Sequence, residues 1–304
     1  MGRRDCTSGL PGAADRTAGR VVADAPFARQ AWRGLEGVNA VTYFSEECRA
    51  AQAALGLRGF WMGYFGGRAA PMGPVGAGVV EATFFNFHPE MVRRAIPDAW
   101  NFAAPDAIVA SRSEAAAAAI RRLVPHADEI GAIVWPLLRR VIDAASAAGR
   151  PLFAANRDVA IGDGVPGVWQ AATTLREHRG DGHVATLTEA GIDGCEAHVL
   201  YAATEGVPPD LLRLNRGWTE ADWDEAVERL RDRGLVGSAG QATGAGRDLR
   251  ERIERRTDEL ALSPYHALGD ASGLIELLQR LAMPIVSSGE IRFPNPMGLP
   301  GPNE

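Results

Sequence analysis

The sequence contains no lysine, and all 32 of its basic residues are arginine. A Schiff-base lysine and the lysine of a phosphate-binding P-loop are therefore excluded. Cysteine is also scarce: Cys6, Cys48 and Cys195 form no CxxC pair, so their spacing supports neither a disulfide framework nor a cysteine zinc site. The net charge of −6 provides no basic field that would attract the whole chain to DNA or to an anionic membrane.

Long apolar runs are absent as well. No stretch approaches the roughly 18 apolar residues that a membrane span needs, and no apolar segment follows the early arginines as it would in a secretory signal peptide. These absences predict a cytoplasmic protein without a membrane partner. The 304 residues and the apolar share of 46% allow a large core, divided between two domains or enclosed in one elaborate domain.

Helix-forming patterns dominate the N-terminal half. Pro89 is placed to open a helix, and Pro136 is expected to kink one. The apolar run Val79–Phe87 is interpreted as extended, and residues 149–167 as a loop. The strongest helical patterns cover roughly residues 27–57, 113–123 and 127–150.

The C-terminal half has the clearest local signals. Thr219 is a natural N-cap, and Asp222 completes a capping-box arrangement at the start of a helix that Gly234 ends. A glycine-rich turn follows at residues 237–246, and a long charged helix follows the turn. The expected buried stripe of the capped helix comprises Trp223, Ala226, Val227 and Leu230.

This order of elements resembles a winged-helix unit of the MarR type over about residues 185–262. More broadly, the chain is similar to a family of actinobacterial helix-turn-helix proteins of comparable length. The segments that carry this similarity are FWMGYFGGRAAPMGPV, ATFFNFHPEMV, LREHRGDGHVATL, RGWTEADWDEAV and NPMGLP. The resemblance implies a mainly α-helical fold, in which an N-terminal helical half packs on a C-terminal winged-helix-like unit with a small β wing.

Four parts are expected along the chain. Residues 1–25 are predicted to be disordered, and residues 26–167 to form a helical domain with an aromatic and glycine-rich segment. Residues 168–290 correspond to the winged-helix-like domain, and residues 291–304 to a proline-rich tail. A helix and turn at residues 168–187 would join the two halves.

The candidate recognition helix, Thr219–Arg233, is poorly suited to DNA. It carries six acidic residues and three arginines, and the acids dominate its N-terminal part, which in winged helices meets the base edges. The wing segment Gly237–Gly246 contains no basic residue. DNA is therefore not expected as a partner.

A polar stretch at residues 175–187, LREHRGDGHVATL, interrupts the apolar pattern. In the simplest interpretation a helix ends near Gly180, Asp181 caps the next helix, and Arg176 and Arg179 pair with acids. In a second, the stretch faces a cleft between the halves, where histidine acts as acid or base and arginine holds an anion. A third is a metal held by the two histidines and Asp181, but HExxH spacing is absent and no metal site is predicted. The candidate catalytic residues are His178, Arg179, Asp181 and His183.

A second group of polar and aromatic residues lies in the glycine-rich segment. An apolar pocket with a few polar groups is typical of small-molecule sites, although the same residues would also suit an aromatic core between packed helices. The candidate ligand-binding residues are Trp61, Tyr64, Arg68, Asn86 and His88.

The sequence therefore predicts a protein that binds a small organic molecule between its halves, as a binding protein or as an enzyme of specialised metabolism. No motif identifies a cofactor or a reaction, and the winged helix would no longer read DNA. The alternative is a MarR-like, ligand-responsive regulator that binds DNA as a homodimer. A structural or partner-binding role is a third hypothesis.

Overall fold

The computed structural model describes residues 21–160, 162–299 and 301–302. In this part of the chain the regular secondary structure is helical, with no β-strand and one isolated β-bridge. The mainly α prediction is confirmed. The α-helices of the described residues are α1 (Ala25–Asn39), α2 (Val41–Phe44), α3 (Glu46–Ala54), α4 (Gly59–Ala69), α5 (Ala77–Phe84), α6 (Pro89–Arg93), α7 (Pro105–Leu123), α8 (Ala127–Ala144), α9 (Pro151–Arg157), α10 (Gly164–Glu189), α11 (Gly194–Glu205), α12 (Pro209–Arg216), α13 (Glu220–Asp232), α14 (Gly244–Leu262) and α15 (Leu274–Val286).

The predicted disordered segment 1–25 lies mostly outside the described residues. Its last residues are described and contact the body of the protein: the backbone N–H of Val21 donates to the Asp270 carboxylate, and the Asp24 side chain accepts from Phe27 as the N-cap of α1. Asp24 satisfies one of the free N–H groups that every helix start leaves.

Two segments that were expected to be non-helical form helices. The apolar run Val79–Phe87, expected to be extended, lies largely in α5, which ends at Phe85 with a positive φ of 56°. A short apolar run does not distinguish a strand from a buried helix, which explains the error. The predicted loop 149–167 contains α9, whose first turn begins with Pro151, a residue suited to that position.

Helix α10 runs unbroken through the polar stretch, so the predicted turn at Gly180 is wrong. A tertiary contact accounts for the presence of Gly182 within the helix. A Cβ on Gly182 would lie 2.8 Å from Arg150 Nη1, and Arg150 bonds to the carbonyls of His178 and Leu260. Glycine thus lets the Arg150 side chain join α10 to α14 at close range.

The capping box predicted for the C-terminal half is present, whereas the predicted β wing is not found in the described residues. Thr219 and Asp222 form the expected capping box. Between α13 and α14 the structure has only the single antiparallel bridge Val236–Ala242. The segment is too short and glycine-rich for a ladder of strands, and its Thr243 caps α14 instead, accepting from the N–H of Gly246.

The first and last helices pack together beside α10. A Cβ on Gly34 would meet Leu278 Cβ at 2.8 Å, and one on Gly37 would meet Ala282 Cβ at 2.8 Å. These glycines allow α1 and α15 to approach closely. One apolar core is shared by α1, α7, α8, α10 and α15, and the proposed domain boundary at 167/168 falls in the first turn of α10.

Within the described residues, no helix combines the length and apolar character that crossing a bilayer requires.

Candidate functional site

A cleft of about 830 Å³ opens beside α10. Besides α10, its lining side chains come from α1, α4, α5, α11, α12 and α14. The proline-rich tail contributes residues 293–299. Within the tail, the Asn295 side chain bonds to the backbone of Met297 and Leu299, and Arg216 of α12 donates to the Pro296 carbonyl. The cleft is therefore built from both ends of the sequence.

The continuous α10 helix divides the polar stretch between two faces. Arg176, Arg179 and His183 line the cleft, because residues three and four apart share a helix face. His178 and Asp181 do not line it; they meet α9 on another face. The candidate catalytic residues are thus not brought together in one site.

Asp181 and His178 have structural surroundings. The Asp181 carboxylate accepts a hydrogen bond from the N–H of Phe153 at 2.9 Å, at the start of α9. It is a cap, as expected, but for a different helix. Burial raises the pKa of Asp181 to about 6. His178 packs edge-on against the Phe153 ring, and burial lowers its pKa to about 3.

A chain of buried ion pairs forms one wall of the cleft. Arg68 donates to both oxygens of Glu177 at 2.7 and 2.8 Å, and its guanidinium lies 4.2 Å from the centre of the Phe84 ring. Arg176 donates to Glu177 at 3.0 Å and to both oxygens of Glu36. Although burial opposes ionisation, Arg68 and Arg176 together lower the pKa of Glu177 to about 2. Glu177 is therefore a fixed anion between two cations.

Arg179 belongs to a second network. Its Nη2 contacts Glu254 at 3.0 Å and Asp258 at 2.9 Å, and its guanidinium lies over the Trp32 ring. Arg29 shares both carboxylates. The sequence prediction that Arg176 and Arg179 pair with acids is confirmed. Because its charge is shared with two carboxylates, Arg179 has little capacity left to hold an anionic ligand.

His183 is the candidate catalytic histidine that lies in the cleft. Its Nδ1 is 3.0 Å from Thr257 Oγ1, and the Thr257 hydroxyl donates to the Ile253 carbonyl at 2.7 Å. Since that hydroxyl proton is already engaged, Nδ1 carries the proton of the pair. Burial lowers the pKa of His183 to about 4, so the ring is neutral at pH 7 and Nε2 has a lone pair.

The predicted ligand-binding residues also divide. Tyr64, Arg68 and Asn86 line the cleft. Trp61 instead packs among aromatic rings, with Phe65 and Phe87 at 6.2 and 6.0 Å between centroids. His88, also expected to bind ligand, is the N-cap of α6 and packs edge-on against Trp218.

Sequence reasoning missed two cleft residues, Arg216 and His198. Arg216 lies at the end of α12, over the Phe87 ring at 4.7 Å, and donates to the Pro296 carbonyl of the tail. His198 is 6% exposed and lies on α11. Its one sequence signal was a lone histidine among apolar residues, a pattern that does not distinguish a core residue from a ligand contact.

Most arginines that line the cleft form salt bridges with carboxylates, but two do not. Arg33 and Arg216 form no salt bridge with any described residue. Arg33 is exposed at the rim. Burial lowers the pKa of Arg216, and the neighbouring cations Arg68 and Arg176 lower it further. Tyr64 raises that pKa in part, and no carboxylate of the described residues pairs with Arg216 to raise it further.

No group of three His, Cys, Asp or Glu side chains in the described residues is arranged to hold a metal ion.

The fold and the cleft define a mainly helical protein with an arginine-rich cleft beside α10. The chain belongs to a helix-turn-helix family, whose profile matches residues 28–292 and therefore spans both halves. The search of curated proteins and the search of solved structures find no match to this chain.

Proposed function

We propose that the protein binds a small organic anion in the cleft and that Arg216 is its principal anchor. The observation that carries this proposal is a largely desolvated guanidinium, held by an aromatic ring and a backbone carbonyl, without a carboxylate among the described residues. Buried charges are costly unless they are paired. A ligand carboxylate or phosphate would provide the missing charge through charge-assisted hydrogen bonds.

The size and walls of the cleft suit an organic molecule rather than a bare ion. Its volume of about 830 Å³ lies in the range of small-molecule pockets, roughly 300–1,000 Å³. Trp32, Phe84 and Tyr201 contribute aromatic surface next to the arginines. An anion with an apolar or aromatic body would match this lining.

In an extension of this proposal, the protein is an enzyme that transforms the bound anion. Its acid or base would be His183, because His178 and Asp181 face α9. Arg179 would act through its network rather than by direct charge, since Glu254 and Asp258 already hold it.

Binding of organic acids tests the proposal. Wild-type protein would be titrated calorimetrically with phenylacetate, simple aliphatic carboxylates and sugar phosphates. At least one is expected to bind, and Arg216→Met is expected to weaken it about 10- to 100-fold, the value of a hydrogen-bonded charge. Arg213→Met is the matched control, because Arg213 lies on the same helix, pairs with Asp210 and does not line the cleft. No binding to wild type, or equal binding to Arg216→Met, would reject the proposal.

Membership of a helix-turn-helix family favours a second function, a ligand-responsive regulator that binds DNA as a dimer. The recognition-helix candidate α13 argues against direct reading. Its Arg229 pairs with Asp193 and Glu196, and its Arg233 donates to the Ala190 and Gly191 carbonyls. The arginines that could neutralise phosphates are thus held within the chain.

In this second proposal α14 would supply the phosphate contacts. Its Arg252 and Arg255 are exposed and form no salt bridge with a described residue. Fluorescence anisotropy with duplex DNA from the upstream region, against a random duplex at low salt, tests it. Specific binding that falls steeply with salt and is lost in Arg252→Ala/Arg255→Ala supports the regulator. Equal binding of both duplexes, or none, rejects it.

A further inference from the structure

His198 has a ring nitrogen that no described residue satisfies. Its Nε2 is buried and lacks a hydrogen-bond partner among the described residues, and the residue lines the cleft. Buried polar atoms are nearly always hydrogen-bonded. An unpartnered nitrogen on the wall of a ligand-sized cleft is therefore a place where a bound molecule would make a contact.

The state of this ring follows from its surroundings. The backbone carbonyl of Asn86 stabilises a protonated ring nitrogen, and because Nε2 has no partner, we assign the proton to Nδ1. Burial and the nearby Arg216 cation lower the pKa of His198 to about 3. The imidazole is neutral at pH 7, and Nε2 is an acceptor only.

The His183 ring is also neutral with its proton on Nδ1, for a separate reason. Thr257 fixes its proton on Nδ1, which leaves Nε2 with the lone pair. The two histidines are near enough to interact electrostatically, and Arg216 acts on the same ring of His198. The same part of the cleft therefore contains an unpaired cation and two neutral acceptors.

Two carboxylates of the cleft lining are already engaged. Arg176 occupies Glu36, while Arg179 and Arg250 occupy Glu254. A ligand that offered only an anionic group would leave both imidazole nitrogens without a donor. A ligand that also carried an O–H group would satisfy at least one of them.

We propose that His198 and His183 form an acceptor pair that recognises a hydroxyl group, so that the ligand class is a hydroxylated organic anion. This inference rests on the organic-anion function proposed above and adds the second group that the ligand must have. Arg216 would bind the anionic end, and the imidazole pair would select among anions by the presence and position of the hydroxyl.

The test compares acids that differ by one hydroxyl. Phenylacetate and its 2-, 3- and 4-hydroxy isomers would be titrated calorimetrically into wild type and into His198→Phe and His183→Phe. Phe keeps a planar ring at each position. In His198→Phe the Asn86 carbonyl still accepts from Trp218 Nε1, and in His183→Phe the Thr257 hydroxyl still donates to the Ile253 carbonyl. At least one isomer should bind wild type about tenfold tighter than phenylacetate, as expected for one hydrogen bond. The ratio of the two affinities should fall to near one in a histidine variant, whatever that variant does to the affinity for phenylacetate itself.

The outcomes separate this inference from the function beneath it. If phenylacetate binds through Arg216 and no isomer binds more tightly, the acceptor pair is wrong and the organic-anion function stands. The acceptor pair is also wrong if both histidine variants still bind a hydroxylated isomer more tightly than phenylacetate. If none of the four acids binds but an aliphatic carboxylate or a sugar phosphate still binds through Arg216, this inference fails and the organic-anion function stands. If none of these anions binds, both proposals fail.

A second readout needs no variant. Long-range ¹⁵N NMR of the imidazoles in wild type should show the Nδ1–H form of both rings, with the His198 Nε2 resonance moving when the preferred isomer is added. An Nε2–H form of His198 would overturn the inference.

Discussion

Glu177 of α10 receives two hydrogen bonds from the Arg68 guanidinium, at 2.7 and 2.8 Å, and so ties α10 to α4 at the wall of the cleft. The carboxylate is 1% exposed, and Arg176 bonds to the same Oε1. One buried anion therefore holds two cations whose positions define that wall.

Replacing this anion should be costly. In Glu177→Gln the two arginines lose a shared charge, and removing one partner of a buried ion pair typically destabilises a protein by about 3–5 kcal/mol. Urea unfolding at pH 7 would measure the loss. Asp143→Asn is the control, because Asp143 and Arg139 are both about half exposed and such pairs contribute about 1 kcal/mol or less. Equal stabilities of the two variants would contradict the role given to Glu177.

Three histidines, two buried and one partly buried, should make the protein sensitive to acid. The pKa values of His178, His183 and His198 are lowered to about 3, 4 and 3, whereas the unfolded chain binds these protons near pH 6.5. Unfolding therefore takes up protons between pH 6.5 and about 4, and stability falls as the pH falls through this window.

Asp181 opposes this effect, because its raised pKa of about 6 makes the folded state bind a proton that the unfolded state lacks. Three protons taken up by the histidines, less one released by Asp181, leave a net uptake of about two protons on unfolding near pH 5.5. The free energy of unfolding should therefore change by roughly 2–3 kcal/mol per pH unit. Urea unfolding at pH 7.0, 6.0 and 5.5 gives the slope. His178→Asn should reduce the slope by about one proton, whatever it does to stability at pH 7. A flat profile would show that the histidines are not held neutral.

The two described thiols should be inert in the folded protein. Cys48 and Cys195 are buried, and burial raises their pKa values to about 11 and about 12. Thiolate is the reactive species, so neither should react with a disulfide reagent at pH 8. The measurement uses Cys6→Ser, which leaves only these two. Fast reaction of either thiol without denaturant would contradict the burial.

Local signals predicted much of the fold. The capping box of Thr219 and Asp222 depends on adjacent residues and is present as expected. The course of α10 depends on distant ones: Gly180 and Gly182 indicate a break, yet Arg150 requires the small residue within a helix. Sequence spacing alone gave no reason to expect this, because Arg150 comes from another helix.

The site was predictable in part for the same reason. Arg68, Asn86 and His183 were identified by residue type and neighbourhood, and all three line the cleft. Once α10 is continuous, helical spacing separates His183 from His178. Arg216 draws attention because it pairs with no carboxylate of the described residues, and His198 because its Nε2 has no partner there. Both are properties of the folded chain.

Gly194 should be the most sensitive glycine near the cleft. It opens α11, and a Cβ there would lie 2.3 Å from the Phe85 carbonyl oxygen and 3.3 Å from Asn86 Cα. This close approach sets Asn86 against α11, where its carbonyl receives Trp218 and the His198 ring. Gly194→Ala must push the two segments apart, at a cost of roughly 1–3 kcal/mol, as for other overpacked sites.

Gly67→Ala gives the matched comparison. Gly67 lies inside α4, and a Cβ there would have no atom within 4 Å. Alanine should therefore stabilise the helix by about 0.5–1 kcal/mol, because glycine loses more backbone freedom on folding. Thermal unfolding of both variants should move in opposite directions. Gly194→Ala should also weaken the binding of any organic acid that binds wild type, because α11 carries His198 as well as Gly194. Unchanged stability and affinity in Gly194→Ala would mean that Phe85 and Asn86 can move without disturbing the cleft.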